Sequence, residues 1–191
     1  MEKINVIFLL DRSGSMNGAI EDTIGGYNSF LKKQNDNTLI TTVLFDDDYE
    51  VLYYRENIKN VKKLTNKEYY VRGCTALYDA IGKTINKISR DVKNEKVLFV
   101  ITTDGLENAS KEYHKDDIKK LIKKHSNFEF IYLGANIDSY AEGSSIGIKK
   151  TNISNYKKSR SGISSMFLGV SKACEAFCND CLDESWKDSI E

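Results

Sequence analysis

The chain has 191 residues, 40% of them hydrophobic, 10% aromatic and 29% charged, with 28 basic against 28 acidic side chains, 4 Cys and no Pro. A single domain of this length buries roughly 70% of the surface its unfolded form exposes and needs no disulfide framework; the missing Pro excludes collagen-like and Pro-rich classes, and the composition speaks against disorder. A formal net charge of zero supplies no global basic field for nucleic acid or an anionic membrane, so partners must be selected by local chemistry.

In chain order, the first element is the apolar run Ile4 to Leu10, broken only by Asn5. It is far shorter than the ~20 residues of a membrane span. A signal peptide would need a cleavage site of small residues where Asp11 and Arg12 stand, so the run reads as a strand. Without an export signal the expected compartment is the cytosol, with the cysteines reduced. Ile20, Ile24, Tyr27 and Leu31, spaced by three and four, predict a helix. Leu39 to Phe45 and Val51 to Tyr54 are both strand-like, and the short polar link Asp46-Asp47-Asp48 makes them a hairpin. With Glu50 these acids lack the central Gly and the bidentate Glu of a calcium loop, so they are expected to form a solvated turn. Leu77, Ile81, Ile85, Ile88 and Val92 mark the next helix, and Val97 to Thr102 the next strand. Ile118, Leu121, Ile122 and His125 mark a helix whose Lys115, Lys119, Lys120, Lys123 and Lys124 read as an exposed face. Phe128 to Leu133 is a strand; a Gly- and Ser-rich stretch then leads to a short sixth strand near Lys149 to Ile153. The last helix carries Ile163, Phe167, Val170, Cys174, Phe177 and Cys181.

Three nearly continuous apolar runs are the mark of strands covered on both faces, hence of a mostly parallel central sheet, and the hairpin adds one antiparallel edge strand. The predicted architecture is a three-layer α/β sandwich with helices on both faces, one domain over residues 1–191, with a core of about 3–177 and a tail at 182–191.

In open sheets of this kind ligands bind beyond the carboxyl ends of the strands, where the strand order reverses. The first strand runs into Asp11-Arg12-Ser13-Gly14-Ser15, the Val97 strand into Thr103-Asp104-Gly105, and Gly73-Cys74-Thr75 precedes the helix that starts near Ala76. Asp11, Ser13, Ser15, Thr75 and Asp104 offer two carboxylates and three hydroxyls. This hard-oxygen set, with no His and no obligatory thiolate, suits Mg²⁺ or Mn²⁺ and disfavours zinc. In a tight turn Asp11, Ser13 and Ser15 can point into one concavity, with Gly14 easing the bend. Hydroxyl ligands add no charge, so such an ion stays electropositive and keeps room for an outside carboxylate.

At these residues the chain resembles the von Willebrand factor type A domain family. The family's metal-ion-dependent adhesion site reads Asp-x-Ser-x-Ser, then a Thr, then an Asp, and it matches Asp11, Ser13, Ser15, Thr75 and Asp104 without substitution. The resemblance runs from Lys3 to about Phe177. It implies a Rossmann-like fold, a resident Mg²⁺, and a protein partner that fills the open coordination position with an Asp or Glu. Arg12 and Asn108 are candidates to orient that carboxylate. Cys74, where small residues are usual, is expected to fill space. The expected function is a non-enzymatic protein-binding module. The alternatives are a metal-assisted hydrolase, which would need a general base, and a structural or RNA-associated subunit with a static metal.

Rival motifs fare worse. Gly143-Ser144-Ser145-Ile146-Gly147 fits a nucleophile elbow, but no strand ends at that turn and both histidines, His114 and His125, precede it. Cys174, Cys178 and Cys181 have a spacing that also occurs in cluster-binding proteins, yet they fall on a predicted helix, where small core residues explain them. No glycine-rich phosphate loop follows any strand.

Overall fold

The apolar runs become the inner strands of one six-stranded sheet. The computed structural model describes residues 3–190. Its strands are β1 (Ile4–Asp11), β2 (Thr38–Phe45), β3 (Tyr49–Asn57), β4 (Lys96–Thr103), β5 (Phe128–Gly134) and β6 (Ile153–Asn155). They lie in the order β3-β2-β1-β4-β5-β6, and all neighbours are parallel except β2 and β3. The helices are α1 (Ile20–Leu31), α2 (Leu77–Asp91), α3 (Lys115–Lys124), α4 (Ser139–Ser145) and α5 (Arg160–Cys178).

Side chains alternate across a strand, so β1 feeds both layers. Val6, Phe8 and Leu10 join the core built with α1 and α5, while Ile7 and Leu9 join the core built with α2 and α3. The stripes on the helices face these two cores, which makes the three-layer Rossmann-like sandwich. Lysines on α3 stay solvent-exposed. The chain winds from β1 outward to β2 and β3, then returns to place β4 on the other side of β1. The strand order therefore reverses between β1 and β4, and the polar loops leave the sheet there. No helix among the described residues is long and apolar enough to cross a membrane.

Three local expectations are corrected. The Gly- and Ser-rich stretch contains a helix, α4, capped by Asp138, whose side chain accepts from Ala141 N at 3.0 Å. The sixth strand starts only at Ile153, because Lys150–Asn152 form a 3-10 turn. Helix α5 ends at Cys178, so Cys181 lies outside it and is exposed, whereas Cys174 is buried. Among the described residues no three His, Cys, Asp or Glu gather as they would around a metal or cluster. The terminal segment is docked on the domain. Trp186 is buried, its indole N–H donates to the Thr151 carbonyl at 3.2 Å, and Ile190 packs near Gly169 of α5.

Candidate metal centre

Three connections converge beyond the carboxyl ends of β1 and β4. In the first, Asp11 ends β1 and its carboxylate is held from two sides. Ser13 N donates to Oδ1 at 2.7 Å, and the Thr103 hydroxyl, opposite it on β4, donates to Oδ2 at 2.7 Å. Tyr69, fully buried, donates its hydroxyl to the Asp11 carbonyl at 2.5 Å. From there a chain of oxygens runs outward: Ser13 Oγ and Ser15 Oγ are 2.9 Å apart, and Ser15 Oγ donates to Asp104 Oδ1 at 2.5 Å.

Thr75 reaches the same place from the second connection. A Cβ on Gly105 would stand 3.2 Å from Thr75 Oγ1 and 3.4 Å from Ser15 Oγ, so the bare Gly105 backbone lies between the two hydroxyls. The turn residue that needs glycine's conformational freedom is Gly73, with φ +64°, rather than Gly14. Gly14 instead ties the first two connections together through its N–H, which donates to the Gly73 carbonyl at 3.0 Å.

The second and third connections are also stitched to each other. Helix α2 begins at Leu77 without a side-chain cap of its own, and the first N–H groups of a helix need partners. Residues after β4 provide them: Glu107 accepts from Tyr78 N at 2.9 Å and Ser110 Oγ from Asp79 N at 3.0 Å, while Asn108 Oδ1 accepts from Thr75 N, just ahead of the helix, at 2.9 Å. In return the Asp79 carboxylate accepts the N–H groups of Lys111, Glu112 and Tyr113, each at 2.9 Å. Burial alone would raise the Asp79 pKa; those three N–H groups and the Lys83 ammonium outweigh it and hold the carboxyl below its ordinary value of 3.8. A lowered folded-state value means stability that is present above 3.8 and lost as the pH falls through the folded value. Asp79→Ala is accordingly expected to destabilise by about 2–3 kcal/mol at pH 7, measured by urea unfolding, and the gap to wild type should close on acidification below 3.8.

The site is short of positive charge. Burial pushes the Asp11 carboxyl above its usual range; the bonds from Thr103 and Ser13 oppose this, and the nearby Asp104 charge adds to it. Asp104 Oδ2 is buried and accepts no hydrogen bond; its counter-charge is Lys158 Nζ at 2.8 Å, which also donates to the Ser15 carbonyl. Two carboxylates and three hydroxyls on loops that converge at one end of the sheet are a donor set that suits a hard divalent ion.

The geometry thus brings Asp11, Ser13, Ser15, Thr75 and Asp104 together and sends three neighbours elsewhere. Arg12 alternates away from Asp11 and is wholly buried; its Nε donates to Asp46 Oδ2 at 2.9 Å and its Nη1 to Glu50 Oε2 at 2.7 Å. It cannot orient an incoming carboxylate. Asn108 spends its side-chain oxygen on Thr75 N, which makes it a brace for the loop. Cys74 is exposed and fills no space. The acidic link of the hairpin is solvated at Asp47 and Asp48, which are exposed, but Asp46 is buried between Arg12 and Arg72, and Asp47 Oδ2 accepts from Cys74 N at 3.1 Å. Sequence reading missed Thr103, Tyr69, Asp79, Glu107 and Lys158. Of these only Thr103, beside Asp104, carries a local signal. An apolar groove between Ile122, Phe128 and Ile148 lies at the amino ends of the strands, away from this cluster.

Comparison with known proteins decides the family. The model of the von Willebrand factor type A domain matches residues 5–170. The chain belongs to the von Willebrand factor type A family. No curated protein matches the sequence. Among solved structures, this type A domain is similar to proximal thread matrix protein 1 from the mussel byssus with a zinc-occupied MIDAS motif, at 17% identity and a TM-score of 0.66 over 91% of this chain and 46% of that one. It is similar to the open conformation of the pilus adhesin SpaC from Lactobacillus rhamnosus GG, at 13% identity and a TM-score of 0.73 over 94% of this chain and 30% of that one. It is also similar to manganese-loaded TRAP protein of Plasmodium vivax, at 18% identity and a TM-score of 0.64 over 82% and 69%. At these identities the likeness is one of fold. The domain spans less than half the length of the mussel protein.

Proposed function

We propose that this domain is a non-enzymatic protein-binding module that holds one Mg²⁺, with Mn²⁺ as a substitute, through Asp11, Ser13, Ser15, Thr75 and Asp104. The open coordination position of the ion takes an Asp or Glu side chain of a partner protein. The observation that carries this reading is the convergence of three connections at one end of the sheet, where buried Asp11 and Asp104 and the hydroxyls of Ser13, Ser15 and Thr75 meet and Asp104 Oδ2 has the Lys158 ammonium as its counter-charge. Mussel and malarial relatives of the same fold, described with zinc and manganese, support a divalent ion at such a place. The ion would act as a Lewis acid toward the partner's carboxylate. The residues around it supply rigidity: Thr103 and Tyr69 fix Asp11, while Glu107, Asn108 and Asp79 fix the other two loops.

A hydrolase would need a general base at the ion. Both histidines flank α3 instead, His114 before it and His125 after it, where His125 stacks on Phe128 at 5.1 Å. The cytosol remains the proposed compartment.

Binding to the folded state must raise stability by mass action, about 2.7 kcal/mol at a metal concentration one hundred times the dissociation constant. Thermal unfolding of wild type should shift upward with Mg²⁺ by roughly 5–10 °C, and Asp11→Ala should show no shift. Pull-down from lysate should then retain partners in Mg²⁺ and lose them in EDTA. Retention of the same partners in EDTA and by Asp11→Ala would point to a static, structural role.

A further inference from the structure

Between β6 and α5 the chain passes Tyr156, Lys157 and Lys158 before Ser159 caps the helix. Tyr156 is buried in the core and Lys157 is exposed, while Lys158 turns toward the site. Its Nζ lies 2.8 Å from Asp104 Oδ2 and donates to the Ser15 carbonyl, and its side chain is 20% exposed while that of Asp104 is 1% exposed. An ammonium is a compact point charge with three donors and no acceptor. Here it meets the carboxylate oxygen of Asp104 that no other group of the site satisfies, while Ser15 Oγ donates to the other oxygen.

We propose that Lys158 is a tethered counter-ion that occupies the metal position of the metal-free domain and must swing out for a divalent cation to enter. This rests on the metal-binding reading above. With Lys158 seated, the two carboxylates of Asp11 and Asp104 face one positive charge; with a divalent ion alone they are balanced. An ion bound to Asp104 with the ammonium still in place would put like charges in contact at a buried carboxylate. The segment can let go without unfolding the helix, because Lys158 precedes the Ser159 cap, whose Oγ accepts from Gly162 N at 3.2 Å. Metal affinity is thereby set partly by a residue that is not a ligand. Once released, the ammonium stays at the mouth, where an acidic partner arrives.

The test is calorimetric titration of Mn²⁺ into the full chain, as wild type, Lys158→Gln and Lys158→Ala. It is paired with mass-spectrometric measurement of reductive methylation at Lys158 in wild type with and without Mn²⁺. Both variants should bind Mn²⁺ about tenfold more tightly, which is about 1.4 kcal/mol. Methylation of Lys158 in wild type should be slow without metal and several times faster with it. Equal or weaker Mn²⁺ affinity in the variants, or a Lys158 labelling rate unmoved by Mn²⁺ that binds, overturns the displacement and leaves the metal site standing. Absence of Mn²⁺ binding in all three proteins overturns the metal site itself, and the displacement with it. The labelling arm uses wild type alone and so does not depend on the variants folding.

Discussion

Asp46→Ala is expected to lower the unfolding free energy by about 3–5 kcal/mol, the cost of removing one partner from a buried ion pair. Asp46 Oδ2 accepts from Arg12 Nε at 2.9 Å and from Arg72 Nε at 2.7 Å. Arg12 is fully buried, its Nη2 makes no hydrogen bond, and the Tyr70 ring covers the guanidinium at 5.5 Å. Without Asp46 that guanidinium retains Glu50, whose side chain is half exposed and therefore screened. Glu50→Gln should consequently lose far less, about 1 kcal/mol or under. Urea unfolding of the two variants decides the matter, and an Asp46→Ala protein within 1 kcal/mol of wild type would show that the buried pair is not needed. Because Arg12 follows Asp11 directly, the same variant tests whether the turn after β1 is braced from behind.

Phe8→Ala should be equally costly, about 3–5 kcal/mol, through lost burial and the cavity left behind. Phe8 is fully buried at the centre of β1 and makes edge contacts with Tyr27 and Phe30 of α1, with ring centroids 5.4 and 4.7 Å apart. It also meets Phe167 of α5 at 6.2 Å. One ring therefore joins the central strand to both helices of its layer. A conservative Phe8→Leu change should cost less, about 1.5 kcal/mol or under. Calorimetric unfolding measures both, and a small loss for alanine would mean that α1 and α5 close over the gap.

Much of this arrangement was legible in the residues themselves. Ile4 to Leu10, Val97 to Thr102 and Phe128 to Leu133 read as two-sided strands because nearly continuous apolarity over so short a run has few other uses, and the hairpin followed from Asp46-Asp47-Asp48. Helix α4 escaped because glycine and serine weaken its intrinsic signal, while what holds it is tertiary: a Cβ on Gly143 would stand 2.8 Å from Ile153. Arg12 was misassigned because adjacency in sequence is not adjacency in space on an extended chain, where neighbours face opposite ways. Lys158 was invisible for a different reason. Nothing local marks a lysine that pairs with an aspartate on another strand's loop; only the path from β6 to α5 brings it there.

The most direct measurement is anomalous diffraction from crystals grown in Mn²⁺. The account predicts one strong peak enclosed by Asp11, Ser13, Ser15, Thr75 and Asp104, with the Lys158 ammonium moved off Asp104. A structure at saturating Mn²⁺ with no peak among those oxygens would contradict it.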